Sequence, residues 1–157
     1  MREPDLLILD EPTTGVDPLS RRQFWDLLFQ LRSDGVTILV ATPYMDEASR
    51  TDRVLFLSSG RIMATGTPHE ISQSYSGTIF ELQRQLDNVT ILAINREAGI
   101  TARRFGATVH FSLEPAHSLA DFRTQLERVS IRLDELQQVP PSLEDPFLQL
   151  LNSGQAA

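Results

Sequence analysis

Leu6-Leu7-Ile8-Leu9-Asp10-Glu11-Pro12-Thr13-Thr14-Gly15-Val16-Asp17 reads as a short apolar strand running into two adjacent carboxylates and a turn. An apolar run without alternation is the pattern of a strand covered on both faces in a parallel sheet. Asp10 then falls where the strand reaches the carboxyl edge of its sheet, the usual ligand crevice of open α/β folds. A carboxylate there can hold Mg²⁺ directly or through water and help neutralise phosphates. Glu11, one residue on, points elsewhere and could polarise an attacking water. The plainer alternative is that both residues only cap or pair at a strand end. A glycine-rich loop ending in Gly-Lys-Ser/Thr would complete such a site, but the chain contains no lysine: all 14 basic residues are arginines.

Working outward, the 157 residues with 41% hydrophobic content suit one ordinary domain or two small ones. No apolar run approaches the roughly 18 residues of a membrane helix, and Met1-Arg2-Glu3-Pro4 is not a basic-then-apolar leader. A soluble, cytoplasmic chain is the expectation. The absence of cysteine excludes disulfides and thiolate metal sites. His69, His110 and His117 have no zinc-ligand spacing. A net charge of -7 argues against a nucleic-acid surface, which needs a basic stripe.

Residues 36–41 form a second unalternated apolar run. Between the two runs Asp17 can cap a helix, Pro18 suits its first position, Phe24, Leu27, Leu28 and Leu31 repeat at helical spacing, and Asp34-Gly35 stops it. Strand, helix, strand is a βαβ unit. A short acidic helix is expected over 45–50. Arg53 to Leu57 and Arg61 to Ala64 then flank Ser58-Ser59-Gly60 as a hairpin closing the sheet's edge. Pro68 opens a helical turn to about Ser72, and the polar Gln73 to Gly77 stretch is the candidate boundary between domains 1–74 and 75–157. Beyond it come a strand (78–83), a helix (87–97), strands at 100–105 and 108–113, a helix (118–128) and a strand (130–137). This β-α-β-β-α-β order predicts a small ferredoxin-like α+β domain. Pro140-Pro141-Ser142 begins a last amphipathic helix with Leu143, Phe147, Leu150 and Leu151 on one side and Glu144-Asp145 in its first turn.

The opening segment resembles the Walker B strand and D-loop of ATP-binding cassette ATPases. Tyr44-Met45-Asp46-Glu47-Ala48, Asp52-Arg53-Val54, Gly60-Arg61-Ile62 and Gly66-Thr67-Pro68 follow in the order seen in the exporter-type branch of that family. The resemblance covers residues 1 to about 72 and implies part of a P-loop NTPase core. The remainder looks like the C-terminal accessory domain of drug- and lipid-exporting members, ending in Pro141-Ser142-Leu143-Glu144-Asp145-Pro146-Phe147. Carried across by position, Asp10 would be the Mg²⁺-associated carboxylate and Glu11 the general base. Asp17 would be the D-loop aspartate that reaches across a dimer toward the opposite ATP site. An Asp before a Pro is equally explained as a helix cap.

Two departures stand out. Family members with competent sites place a γ-phosphate-contacting histidine where this chain has Pro43, which offers neither a side-chain donor nor a backbone N–H. Tyr44 lies one residue off that position. The phosphate loop, the glutamine-containing loop and the Leu-Ser-Gly-Gly-Gln signature, which the family places upstream of Asp10, have no counterpart here. Leu57-Ser58-Ser59-Gly60-Arg61 mimics the signature but reads as a turn.

The resemblance implies part of an exporter's nucleotide-binding subunit, using ATP and Mg²⁺ in the complete domain and sitting at the inner face of the plasma membrane. Its implied partners are a membrane permease subunit, a second nucleotide-binding domain and the missing N-terminal half of its own domain. The chain reads as the tail of a longer reading frame or as a short protein that complements a partner, inactive in ATP hydrolysis by itself. Without upstream strands the Asp10 strand would expose an apolar face, leaving residues 1–72 prone to aggregation. The alternative function is a non-catalytic binding or regulatory module built on the C-terminal domain. Relatives acting in translation or DNA repair fit poorly, because Thr13-Thr14-Gly15-Val16 and the Tyr44 to Ala48 block favour exporters. The transported substrate is not legible.

Overall fold

The computed structural model describes residues 4–96 and 98–155, so Met1-Arg2-Glu3 and Glu97, the expected end of a helix, lie outside the described residues. The protein is a mixed α/β chain whose compact units divide between Arg50 and Thr51.

In the first unit β1 (Leu6–Asp10) and β2 (Thr37–Ala41) pair in parallel, with Asp10 opposite Ala41. They are joined by α1 (Pro18–Ser33), which packs on β2. Local chemistry sets the limits of α1: the Asp17 carboxylate accepts from the Leu19 and Ser20 amides at 3.0 Å each, and Pro18 occupies the first turn. Gly35, at φ 95°, carries the left-handed residue beyond the C-terminus. Trp25 and Leu28 are the buried side chains of α1. The strands are not covered on both faces as their sequences predict: Leu6, Ile8 and Leu39 are 52%, 65% and 59% exposed. The reason is that the faces of a parallel sheet are covered by packed helices, and α1 covers one face while Leu6, Ile8 and Leu39 lie on the other. Exposure of an apolar face on the Asp10 strand is as expected. The acidic helix α2 (Met45–Ala48) is shorter than expected.

In the second unit β3 (Val54–Ser58) and β4 (Arg61–Gly66) form a hairpin whose loop, Ser59-Gly60, has both residues at positive φ, 49° and 73°. The signature-like stretch at 57–61 is thus a turn. Among the described residues the hairpin is a two-stranded sheet of its own, not the edge of the β1–β2 sheet that the sequence predicts. Phe56 on its inner face packs edge-on against Phe147, with ring centroids 5.0 Å apart. Next, α3 (Pro68–Gln73) starts with a reciprocal capping box between Thr67 and Glu70. The Gln73 to Gly77 stretch lies inside this unit, where the Gln149 side chain donates to the Ser76 hydroxyl at 2.6 Å.

The rest is a four-stranded sheet of β5 (Thr78–Leu82), β6 (Ile100–Phe105), β7 (Thr108–Leu113) and β8 (Leu136–Val139), in spatial order β6-β7-β5-β8 with antiparallel neighbours. Because β7 is antiparallel to both, β5 and β6 are parallel and separated by it. Their connection contains α4 (Asn88–Ile94); α5 (Leu119–Arg128) follows β7, and α6 (Glu144–Gln155) ends the described chain. Alternate residues of the sheet, among them Phe80, Leu82, Val109 and Phe111, meet Ile94, Phe122 and Leu126 in one core. The strand predicted over 130–137 is displaced to Leu136–Val139. Ser130 takes a left-handed φ of 58°, Ile131 turns into the core, and Leu133–Glu135 coils into a 3₁₀ turn as the Glu135 carboxylate accepts from the Arg132 amide at 2.8 Å.

Candidate functional site

Asp10 ends β1 as an exposed carboxylate. Glu11 follows directly, held in the left-handed region at φ 45° by its amide, which donates to the Ala41 carbonyl at 2.8 Å. That conformation is uncommon for a side chain larger than glycine and lies at the edge of the allowed αL region. It breaks the strand, so Asp10 and Glu11 cannot alternate as strand neighbours do. The Glu11 carboxylate accepts from the Thr14 hydroxyl at 3.1 Å, and its carbonyl accepts from the Thr14 amide at 3.2 Å. Val16 N–H closes a further turn on the Thr13 carbonyl at 3.1 Å. The loop is compact, and both carboxylates face solvent at the carboxyl edge of the parallel strands.

Asp17 caps α1 with its carboxylate. Hydrogen bonds from Ser20, through side chain and backbone, hold its pKa below the ordinary carboxylate value. Pro43 is exposed, two residues beyond Ala41, the partner of Asp10. The two segments that the sequence singles out therefore share one edge of the β1–β2 sheet. Tyr44 is engaged elsewhere: the Arg21 guanidinium lies 4.6 Å from its ring centroid.

The side chain that sequence reasoning missed is Glu47. It is 1% exposed, in an otherwise acidic helical turn. The Thr13 hydroxyl donates to its Oε1 in a short bond, the Thr42 hydroxyl donates to its Oε2 at 2.7 Å, and Arg21 Nε stands 3.8 Å from Oε1. Burial pushes this carboxyl up. The hydroxyls of Thr13 and Thr42, the Trp25 indole and the Arg21 charge outweigh it and leave the pKa below the ordinary value. The Trp25 N–H contributes from outside good hydrogen-bond geometry. The sequence held two signals: Glu47 lies in the Tyr44 to Ala48 block that resembles the exporter branch, and threonines follow the ends of both apolar runs.

Asp10 alone is a single oxygen donor group, and among the described residues no cluster of three or more His, Cys, Asp or Glu could hold a metal. Mg²⁺, however, commonly keeps several waters and takes one or two carboxylates beside substrate phosphates, so an exposed Asp10 fits that limited role. His110 is used structurally: its Nε2 lies 3.1 Å from Glu81 Oε2, and Phe105 stacks on its ring at 4.1 Å. No helix among the described residues is long and apolar enough to cross a membrane.

No protein-family model matches the chain. Among curated proteins it is similar to the daunorubicin/doxorubicin resistance ATP-binding protein DrrA of Streptomyces peucetius, with 36% identity over 160 residues, 94% of this chain and 46% of that protein. It is 37% identical over 158 residues to the Nod factor export ATP-binding protein I of Cupriavidus metallidurans, covering 96% of this chain and 48% of that protein. Over 71 residues, 45% of this chain and 12% of the relative, it is 49% identical to the probable multidrug ABC transporter ATP-binding protein YbhF of Escherichia coli. The chain spans about half the length of the first two relatives.

Proposed function

This chain belongs to the ATP-binding proteins of ABC transporters, and from that premise we propose that it supplies the hydrolytic half of a nucleotide site in an exporter's ATP-binding subunit. The observation that carries the reading is the shared sheet edge: Asp10 ends β1, Glu11 is turned off it at φ 45°, and the Pro43 segment leaves β2 beside them. In this role Asp10 would hold Mg²⁺ through its exposed carboxylate, and the bound MgATP would supply the scissile phosphate. Glu11 would orient the attacking water and take its proton. Asp17, its carboxylate already committed to capping α1, would present the D-loop toward a second nucleotide-binding domain. Pro43 can neither donate to a γ-phosphate nor shuttle a proton, so the site would be a degenerate one that binds more than it turns over.

An upstream segment would bring the phosphate loop and signature, and its packing on the sheet would cover Leu6, Ile8 and Leu39. A membrane permease at the inner face of the plasma membrane would be the partner that ATP binding drives. Residues 75–157 are read as the accessory domain, ferredoxin-like in plan; the antiparallel insertion of β7 between parallel β5 and β6 supports this.

The test joins the upstream half of the Streptomyces peucetius relative to this chain and follows phosphate release from MgATP. Slow turnover abolished by Glu11→Gln and raised by Pro43→His is expected. A folded, ATP-binding chimera whose turnover ignores Glu11→Gln would refute the assignment of the base, and turnover unchanged by Pro43→His would refute the degenerate site. The 157-residue chain alone should show no thermal stabilisation by MgATP, where a working site would give RT ln(1 + [L]/Kd).

A further inference from the structure

We propose that Glu47 is a positioning residue whose one buried carboxylate locks the Glu11 loop to the Pro43 segment, so that the two move as a single body. The inference rests on the reading above and deepens it, since it concerns the placement of the same base and of the same Pro43 position.

Two backbone features connect the segments. The β1–β2 ladder joins them as far as Asp10 and Ala41, and the Glu11 amide adds one bond to the Ala41 carbonyl. Past that point no backbone hydrogen bond links them among the described residues. The turns of the Glu11 loop are closed internally, Thr14 on Glu11 and Val16 on Thr13. On the other side, the Tyr44 amide donates to the Thr42 hydroxyl at 3.1 Å, again within its own segment. Among the described residues, the side-chain hydrogen bonds that cross between 12–16 and 42–44 all run through Glu47. Thr13 uses its Oε1 and Thr42 its Oε2, so the rigid carboxylate spans the gap.

Charge chemistry explains why the group is an acid. A carboxylate offers two acceptor oxygens and no donor, so both hydroxyls can donate at once. A carboxamide offers one acceptor oxygen and would force one hydroxyl to accept. Hydrogen bonds to an ionised acceptor are shorter and roughly twice as strong as neutral ones. Burying the charge is tolerable because Arg21 stands 3.8 Å from Oε1, itself steadied on the Tyr44 ring. Displacement of Thr42 at the Pro43 side would therefore be delivered to Thr13, two residues from Glu11.

The test is a coupling measurement on the 157-residue chain by amide ¹H–¹⁵N spectra, with no nucleotide present. Thr42→Val removes one donor on the Pro43 side only. It is expected to shift the amides of Glu11, Thr14 and Val16, and to lose that effect in a Glu47→Ala background. Thr13→Val should shift the Tyr44 amide in the reverse sense of the same path. Glu47→Met, similar in length and without a carboxyl or amide group to bridge the two hydroxyls, serves by the same criterion if the alanine variant loses its dispersed spectrum. The proposal is overturned if Thr42→Val leaves residues 11–16 in place, or moves them equally with and without the Glu47 carboxylate. A local stabilising role would not transmit Thr42→Val across the gap. Because no ATP is involved, failure here leaves the hydrolytic reading to the Glu11→Gln assay.

Discussion

Asp145→Ala should be among the most damaging single changes in the second unit. The Asp145 side chain is fully buried and meets three donors: the Ser142 amide at 2.6 Å, the Ser142 hydroxyl at 2.9 Å, and Arg103 of β6 in a short ion-paired hydrogen bond. It thus fixes the start of α6 against the β6 strand. Removing one partner of a buried pair costs about 3–5 kcal/mol, because the other charge stays desolvated. Arg103 is 16% exposed and keeps Glu144 at 3.6 Å, which places the loss near the lower bound. The orphaned Ser142 donors add about 1 kcal/mol, giving about 4 kcal/mol in all. With a urea slope of about 2 kcal/mol per molar, the midpoint of β5 and β7 amide loss should fall by about 2 M. The paired variant Arg103→Met with Asp145→Ala should lose less than the two single changes combined. A midpoint shift below about 0.5 M for Asp145→Ala alone would refute the claim that this pair anchors the helix.

Three other outcomes follow from the same structure. The pKa of Glu47 is lower folded than unfolded, so its contribution is complete above the unfolded value and lost as pH falls through the folded one. The stability gap between wild type and Glu47→Gln, read from Trp25, the only tryptophan, should hold from about pH 7 to 5 and close below about pH 4; a constant gap down to about pH 2.5 would contradict the lowered carboxyl. Gly99→Ala should destabilise the second unit by more than the roughly 1–2 kcal/mol of a left-handed alanine, because φ is 80° and an added Cβ would sit 2.2 Å from His117 Nδ1; a neutral melt counts against that geometry. Phe122→Ala, at 0% exposure between Phe80 and Phe111, should cost about 3–5 kcal/mol in chemical denaturation, and a loss under about 1 kcal/mol would mean that the core lies elsewhere.

Much of this architecture is legible in short-range chemistry. Asp17-Pro18 and Asp34-Gly35 bound α1 because caps and left-handed stops act within one turn. Ser59-Gly60 marks the hairpin for the same reason. Strands 100–105 and 108–113 are recovered residue for residue. The misreading at 130–137 arises because Ile131 alternates like a strand residue while its neighbours coil, a choice made by packing against Leu126 and the sheet rather than by local preference. What covers β1 and β2 is likewise not local information, since a buried-strand pattern states what a strand tolerates and not what lies upon it.

The candidate site divides along the same line. Asp10, Glu11, Asp17 and Pro43 can be picked out in the sequence because each follows or breaks an element in the chain. Glu47, Asp145 and the Glu81–His110 pair look like ordinary surface residues until the fold closes. The order of the elements and the carboxylates at the end of the first strand are matters of covalent neighbourhood, legible without a fold, whereas the expectation of an imidazole at Pro43 comes from the family resemblance alone. Which charges are buried, and which hydroxyls answer them, is settled when the chain folds. Burial and pairing join residues as distant in the chain as Arg103 and Asp145, 42 positions apart, and no local propensity specifies such contacts.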